Sequence, residues 1–262
     1  MYQQVSAFVL HSRPYKETSA LVTFFCAERG KFNAIVRGVR GSKKAHLKAA
    51  LLQPFQELDL SWKEKAHSDL VSLQNIENGK MRLPLEGQSA VCAMYINELM
   101  YRLLYPNVTF DNLYQDYADA LLYLTQLQLQ DGEVQGFKQA QILRWFELRL
   151  LNVLGHGFTL EEDLSGLEIK ANENYLFYPE FGFELIEGDW QLSHHSFQVS
   201  GACILSLQEL LIVPVEEIEI AKTCAKTLRQ LLSISLQPFL GKKPIAAKTL
   251  LQKPSGKLNR NN

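Results

Sequence analysis

A chain of 262 residues with a formal net charge of −1 can form one large domain or two to three small ones. Apolar residues make up 47% and charged residues 21% of it, so a buried core is expected. The absence of a run of about 18 apolar residues argues against a membrane span, and the N-terminal residues lack the pattern of a signal peptide.

Short β-strands are predicted over the first 80 residues. From Glu57 to Trp62, apolar residues alternate with polar ones, which is the period of a half-buried strand. Four further runs are rich in Val, Phe, Ile and Leu and are separated by polar or glycine-containing turns: Val5–Leu10, Ala20–Cys26, Phe32–Arg37 and Leu70–Ile76. Five short strands without a long helix favour a small closed sheet, with an SH3-like barrel and an OB-fold as leading candidates.

The segment Gly38–Gln53 connects the third and fourth strands. It is polar and basic at first and then more apolar, and its part Gly38–Lys48 is predicted to be a loop. Between Arg29 and Gln56 the chain has seven basic residues and no acid: Arg29, Lys31, Arg37, Arg40, Lys43, Lys44 and Lys48. Such segregation of charge favours a polyanionic partner. We expect these side chains to line up on the barrel exterior, where each can neutralise a phosphate.

Aromatic rings close to these bases could stack the bases of a single nucleic-acid strand. Tyr15, Phe32 and Trp62 are the candidates. Each of them also suits the core of the barrel, and the sequence leaves both alternatives open.

Helices are predicted after Pro84. Ser89 can cap a first helix that ends at Pro106, and Thr109 can cap a second. A third runs from about Phe137 to Leu154 and stops at Gly155, a suitable glycine for the residue after a helix end. Because the third helix is apolar over most of its circumference, we expect it at the centre of a bundle.

Residues 156–200 lose the helical period, and the pieces Tyr175–Tyr178 and Phe183–Ile186 are predicted to form hairpins. Ser206 and Glu209 fit a capping box at the start of the next helix. A last helix is predicted over about 216–236, ended by Pro238. The final ten residues are predicted to be partly disordered.

Charge is also segregated in this second half of the chain. Residues 156–220 contain thirteen acids and one base, whereas residues 221–262 contain nine bases and no acid.

The four cysteines, Cys26, Cys92, Cys203 and Cys224, form no CxxC pair and are predicted to be single buried thiols rather than disulfides or zinc ligands. The cytoplasm is the expected compartment. The sequence has no phosphate-binding P-loop, no HExxH and no GxSxG, and the adjacent His194 and His195 suit a surface pair better than a metal site. We therefore expect no catalytic residue, cofactor or metal.

Five strings spread in order over nearly the whole chain carry a family resemblance: AFVLHSRPYKETSALVTFF, VRGVRGSKKAHLKAALLQPFQ, MYINELMYRLL, LRWFELRLLNVLGHGF and LQPFLGKKPIAAKTL. Together they resemble RecO, a family of DNA repair and recombination mediators, in particular its enterobacterial-type members. Many relatives carry a four-cysteine zinc site in the β-rich segment. Here that segment has no cysteine, so other packing must hold it.

The resemblance implies an α+β protein that is not an enzyme, with a five-stranded OB-fold barrel followed by a helical bundle with a small β-rich insert. The expected divisions are an OB-fold (1–80), a helical domain in two parts (81–155 and 201–240), the insert (156–200) and a basic C-terminal tail (241–262). RecO-like proteins bind single- and double-stranded DNA and anneal complementary strands. With RecR, they load the recombinase RecA onto DNA covered by single-stranded DNA-binding protein (SSB), and they engage the acidic C-terminal tail of SSB.

Two sets of site residues follow as hypotheses. The DNA surface is expected to use nine bases: Arg13, Lys16, Arg37, Arg40, Lys43, Lys44, Lys48, Lys242 and Lys243. Lys222, Lys226 and Arg229 either extend this surface or form a solvated helix face. Arg144 matches the position that relatives use to hold the SSB tail, with Leu143, Leu148 and Tyr117 as pocket walls or bundle core.

Two alternatives are weighed against this function. One is a protein-binding adaptor that holds acidic partner tails without direct DNA binding. The other is a nuclease, but it would need carboxylates clustered at metal-ligand spacing, and the acids between 161 and 219 are dispersed among glycines.

Overall fold

A computed structural model describes residues 2–64, 70–130, 132–187 and 197–251. The chain divides into two compact units. The first unit comprises residues 1–129 and 243–262, and the second unit comprises residues 130–242. No helix within the described residues is long and apolar enough to span a membrane.

One curled sheet of six strands forms the barrel of the first unit. Its strands are β1 (Tyr2–Tyr15), β2 (Ser19–Cys26), β3 (Gly30–Val36), β4 (Glu57–Lys63), β5 (Leu70–Ser72) and β6 (Asn75–Asn78). They lie in the order β5-β3-β2-β1-β4-β6, and neighbours are antiparallel except for the parallel pair β3 and β5. The chain crosses from β3 on one side of β1 to β4 on the other, the Greek-key path of an OB-fold. The predicted OB-like architecture is confirmed.

The fifth predicted strand divides in two because it serves both edges of the sheet. β5 pairs with β3, whereas β6 pairs with β4. Between them, the Leu73 amide donates to the Ile35 carbonyl at 3.4 Å, and the Gln74 amide donates to the Ser61 carbonyl at 2.9 Å. These consecutive residues therefore connect the two edges and curl the sheet into a barrel.

Strand β1 is buried on both faces. Val5, Ala7 and Val9 alternate into the barrel core, as the period of two requires. On the opposite face, Phe8 is fully buried, with its ring 5.0 Å from that of Tyr117 in an edge-on contact. This double burial explains why the sequence of β1 is a continuous apolar run over Ala7–Leu10 rather than a strict alternation.

The predicted loop between β3 and β4 is wrong in its second half, because residues Lys43–Leu51 form a helix, α1. The Ser42 hydroxyl caps it by accepting a hydrogen bond from the Ala45 amide at 3.2 Å. The segment that follows is rich in alanine and leucine, both strong helix formers. Its Ala45 side chain is buried, so the helix packs on the barrel.

The remaining helices of the first unit are α2 (Gly87–Leu103), α3 (Leu113–Leu127) and α7 (Ala246–Leu251). The predicted caps are wrong for α2 and α3. Ser89 lies inside α2, where its hydroxyl donates to the Leu124 carbonyl of α3 at 2.8 Å, so it links two helices instead. Thr109 precedes α3 by four residues, and Asn112 occupies the cap in a left-handed conformation. Neither predicted capping residue therefore lies at the start of its helix.

The second unit consists of three long helices and a small sheet. The helices are α4 (Gly132–Val153), α5 (Gly201–Leu210) and α6 (Lys222–Leu240), and the strands are β7 (Asn174–Tyr178), β8 (Gly182–Leu185) and β9 (Phe197–Ser200). As predicted, α4 is buried over most of its circumference and is followed by Gly155, whose φ of +75° suits glycine. Ser206 lies inside α5 and Pro238 inside α6, so the predicted capping box and helix end are wrong.

The β-rich insert is held by aromatic packing. Strands β7 and β8 form the predicted hairpin, with Phe177 opposite Phe183. The rings of Phe158, Phe177 and Phe183 lie within 5.0–5.5 Å of one another. A shared hydrophobic cluster therefore holds this part of the insert together.

A disulfide joins two of the four cysteines, contrary to the prediction. Cys203 of α5 and Cys224 of α6 are bonded, with their Cα atoms 5.4 Å apart. Their separation of 21 residues has no sequence signature, because the turn between the two helices brings them together. Cys26 and Cys92 are buried thiols outside the disulfide, as predicted.

Candidate nucleic-acid interface

Arg40 organises one end of the barrel. Its Nη2 donates to the backbone carbonyls of Ser19 at 3.0 Å, Tyr15 at 3.4 Å and Lys16. These carbonyls belong to the turn between β1 and β2, whereas Arg40 follows β3. Hydrogen bonds from a charged donor are strong, so Arg40 links the two segments firmly. Its partners are carbonyl groups rather than carboxylates, so they do not neutralise its positive charge.

Two further contacts reinforce this connection. The Val39 amide donates to the Thr18 carbonyl at 2.8 Å, again between the segment after β3 and the β1–β2 turn. Lys48 Nζ in α1 donates to the Arg37 carbonyl at 3.0 Å. The end of β3, the β1–β2 turn and α1 are therefore held side by side.

These elements bring seven of the predicted DNA-binding residues to one end of the barrel, which we name the cationic end: Arg13, Lys16, Arg37, Arg40, Lys43, Lys44 and Lys48. Arg13, Lys16, Arg37 and Lys43 are exposed, and none of these four forms a salt bridge with a carboxylate of the described residues. Lys44 is the second residue of α1. The result is a concentration of uncompensated positive charge.

Arg29 and Lys31 do not belong to this surface, so the expectation that all seven bases from 29 to 48 line up is wrong. They lie at the opposite end of β3, roughly 20 Å away for a strand of this length. Arg29 forms a salt bridge with Glu64 at 3.1 Å. Lys31 Nζ donates to the Tyr101 carbonyl at 2.7 Å, and burial lowers the pKa of this lysine. Both side chains are therefore engaged in contacts within the protein rather than in the cationic end.

A hollow of about 310 Å³ borders the cationic end, between β1, the start of β2 and the end of α1. Its lining includes the apolar residues Leu10, Ala20, Val39 and Leu52, together with the charged Arg40. β1 has a register shift just before the hollow, at the bulge between residues 9 and 11. Sequence reasoning missed this feature, because the residues that form it come from four separate segments.

Two of the three aromatic candidates for base stacking are core residues. Phe32 and Trp62 are buried with their ring centroids 5.5 Å apart, so neither presents a free face. Tyr15 is partly exposed next to the cationic end, with Lys16 Nζ 5.4 Å from its ring centroid.

The predicted tail-binding residues are all buried. Arg144 in α4 forms a salt bridge with Glu147 at 2.6 Å, and Leu143 and Leu148 lie in the core. Tyr117 belongs to the first unit, where it is fully buried and its hydroxyl hydrogen-bonds to an amide side chain. Tyr117 is thus a core residue there, because Phe8, Phe25 and the hydrogen bond occupy its ring and hydroxyl.

The late bases are exposed. Lys242 and Lys243 follow α6, and the Lys243 carbonyl accepts a hydrogen bond from Arg102. On α6, Lys226 and Arg229 are exposed, while Lys222 Nζ lies 5.8 Å from the centroid of an aromatic ring of α4. His194, His195 and the final ten residues lie outside the described residues.

Comparison with known proteins identifies relatives along nearly the whole chain. The family model "Recombination protein O N terminal" matches residues 1–81, and "Recombination protein O C terminal" matches residues 85–246. A "DNA repair protein RecO" of Pseudoalteromonas atlantica is 35% identical over 95% of this chain and 94% of its own length. Proteins of the same name from Pseudomonas paraeruginosa and Coxiella burnetii are 34% and 32% identical, each over 94% of this chain and over 93% and 96% of their own lengths.

Proposed function

Because this chain belongs to the RecO family of DNA repair proteins, we propose that it binds single- and double-stranded DNA at the cationic end of its barrel and anneals complementary strands. The observation that carries this proposal is the exposure of Arg13, Lys16, Arg37 and Lys43 without carboxylate partners among the described residues. Each base that neutralises a phosphate releases a condensed counterion, and this release supplies affinity without regard to sequence. Lys242 and Lys243 are further candidate phosphate contacts in this proposal.

Annealing follows from the same physics. A cationic surface screens the repulsion between two strands and leaves their bases free to pair. Pairing supplies the driving force, so no nucleotide hydrolysis and no catalytic residue is needed. The protein therefore acts in the cytoplasm as a mediator rather than an enzyme.

A charge-reversal experiment tests the DNA surface. We expect the variant R37E/K43E to bind a labelled single strand at least tenfold more weakly, because two phosphate contacts become repulsive. The matched control is K63E/K80E, since Lys63 and Lys80 are exposed lysines of the first unit outside the cationic end and their reversal changes the net charge by the same amount. Circular dichroism checks that both variants are folded. Equal binding by R37E/K43E and the parent chain would overturn the proposal.

Strand annealing is the second measurement. Complementary labelled oligonucleotides should pair faster with the protein than without it, and R37E/K43E should lose that acceleration. A protein-binding adaptor would instead shift oligonucleotides only when SSB is present. Cleavage of labelled DNA in the presence of magnesium would contradict the non-enzymatic mechanism.

For the SSB tail, we propose that the Arg144 guanidinium receives the terminal carboxylate, with Leu143 and Leu148 beside it. A guanidinium fork suits a carboxylate, and the buried Glu147 carboxylate occupies this fork in the absence of the tail. Binding of the tail would bring the protein to strands covered by SSB. There, the protein would act with RecR to load RecA.

The salt bridge makes a simple alanine variant ambiguous, because removal of Arg144 leaves Glu147 buried without its partner. The variant E147Q avoids this problem: it keeps the guanidinium and removes the competing carboxylate. We expect E147Q to bind an SSB tail peptide at least as tightly as the parent chain, and R144A/E147A to bind it at least tenfold more weakly. Unchanged peptide affinity in R144A/E147A, measured by fluorescence anisotropy, would exclude Arg144.

A further inference from the structure

We propose that the hollow beside the cationic end accepts one unstacked base of a bound single strand. This inference rests on the proposed DNA binding and specifies how the protein distinguishes a single strand from a duplex. A base in a duplex is paired and stacked, so only a single strand can place a base in the hollow at low cost.

The size of the hollow matches this occupant. Its volume of about 310 Å³ lies at the lower end of the range for sites that hold small organic molecules. Leu10, Ala20, Val39 and Leu52 give it apolar surfaces against which the face of a base can pack. Such packing is tolerant of sequence, because every base has an apolar face.

The charge around the hollow also suits a nucleotide. Arg13 and Arg40 are among the described residues that line it, and no aspartate or glutamate is. A phosphate on either side of an inserted base would therefore meet positive charge. His11 also lines the hollow, and burial together with the charge of Arg13 lowers its pKa.

A second cavity, of about 440 Å³, lies beyond His11 and Pro54 against α2, and it provides an instructive contrast. Its lining includes Glu98, whose carboxylate accepts hydrogen bonds from the amides of Ala246 and Ala247. Arg102 and Lys243 also line this cavity, but Arg102 is paired with Glu98 at 3.4 Å. The smaller hollow combines its two arginines with no carboxylate among its described lining residues, so we take it as the site for a nucleotide.

The test compares two oligonucleotides and two matched variants of the full-length chain. The first oligonucleotide is a 15-nucleotide thymidine strand, and the second has the same phosphates with abasic sites throughout. Ala49 lines the hollow near the end of α1, whereas its neighbour Ala50 is exposed and does not line it. A49F therefore fills the hollow, and A50F adds the same ring next to it.

We expect the parent chain to bind the thymidine strand about tenfold more tightly than the abasic strand, the contribution of one buried base. A50F should keep this preference and A49F should lose it, while both variants keep the parent's affinity for the abasic strand. If A49F does not fold, Q53W replaces it, because Gln53 also lines the hollow but is exposed.

The outcomes separate this inference from the proposed function. Equal binding of both oligonucleotides by the parent chain, or an unchanged preference in the filled variants, would overturn base insertion while DNA binding stands. Failure of the parent chain to bind either oligonucleotide would overturn the proposed function itself. If filling the hollow leaves the base preference intact but weakens binding of an SSB tail peptide, the hollow belongs to a protein side chain and the inference is wrong.

Discussion

The thiol of Cys26 is fully buried at the end of β2, and this burial raises its pKa to about 12. In the unfolded chain the same thiol loses its proton from about pH 9. Between these values the unfolded state binds fewer protons than the folded state, so the free energy of unfolding must fall as the pH rises.

We therefore predict that the parent chain loses about 1 kcal/mol more stability than C26A between pH 7.5 and pH 9.5. The alanine variant has its own pH-independent cost from the cavity that it leaves, so the slopes are compared rather than the absolute stabilities. Urea unfolding at several pH values measures both slopes. Parallel slopes would show that Cys26 is not the titrating group.

Arg40 has a positioning role that charge alone does not describe. A lysine at this position keeps the charge but cannot reproduce a guanidinium that contacts several carbonyls. We predict that R40K weakens single-strand binding severalfold and lowers the free energy of unfolding by about 1–3 kcal/mol. R37K is the matched control, because Arg37 is exposed at the end of β3. If R40K and R37K behave alike in both assays, Arg40 contributes only its charge.

The sequence allowed the charges of the site to be predicted, but not what each charge does. Arg37 and Arg40 look equivalent in a polar segment, yet only Arg40 meets carbonyls 21–25 residues earlier in the chain. Arg29 and Lys31 looked like members of the same surface, but the length of β3 separates them from it. Such distinctions arise from tertiary contacts, which residue types and spacing do not encode.

At the level of secondary structure, alternation and apolar runs located the strands β1 to β4 and the hairpin of β7 and β8, but they missed β9 (Phe197–Ser200). They could not show that residues 70–78 would divide between two edges of the sheet, because that depends on where β3 and β4 lie. Helix α1 was missed for a different reason: its basic residues resemble those of a loop, although Ser42 and the alanines that follow favour a helix.

The disulfide between α5 and α6 closes a segment of about 20 residues, and a cross-link of this length restricts the unfolded chain. We predict that C203S/C224S is less stable than the parent chain by about 3 kcal/mol. A reducing agent should destabilise the parent chain by a similar amount and leave C203S/C224S unaffected. C92S, which removes a thiol outside the disulfide, should remain sensitive to the reducing agent. Chemical denaturation with and without reductant measures all three, and equal sensitivity of the parent and the double variant would contradict the prediction.

For the whole molecule, a net charge of −1 conceals two units of opposite charge. The first unit has 19 lysines and arginines against 12 acids, a net charge of +7. The second unit has 8 lysines and arginines against 16 acids, a net charge of −8. This contrast follows from the sequence once the division into units is known. It makes the first unit the expected partner of a polyanion.

The salt dependence of DNA binding tests this division. For single strands, the slope of log affinity against log salt is about −0.7 per neutralised phosphate, so one contact from each of the seven bases of the cationic end predicts a slope of about −5. R37Q/K43Q removes two contacts and should make the slope shallower by about 1.4. K226Q/R229Q removes two exposed bases from α6 of the acidic unit and should leave the slope unchanged. Each lost phosphate contact must appear in the slope, wherever the contact lies. If the α6 variant changes the slope as much as the barrel variant does, bases of both units therefore contact DNA.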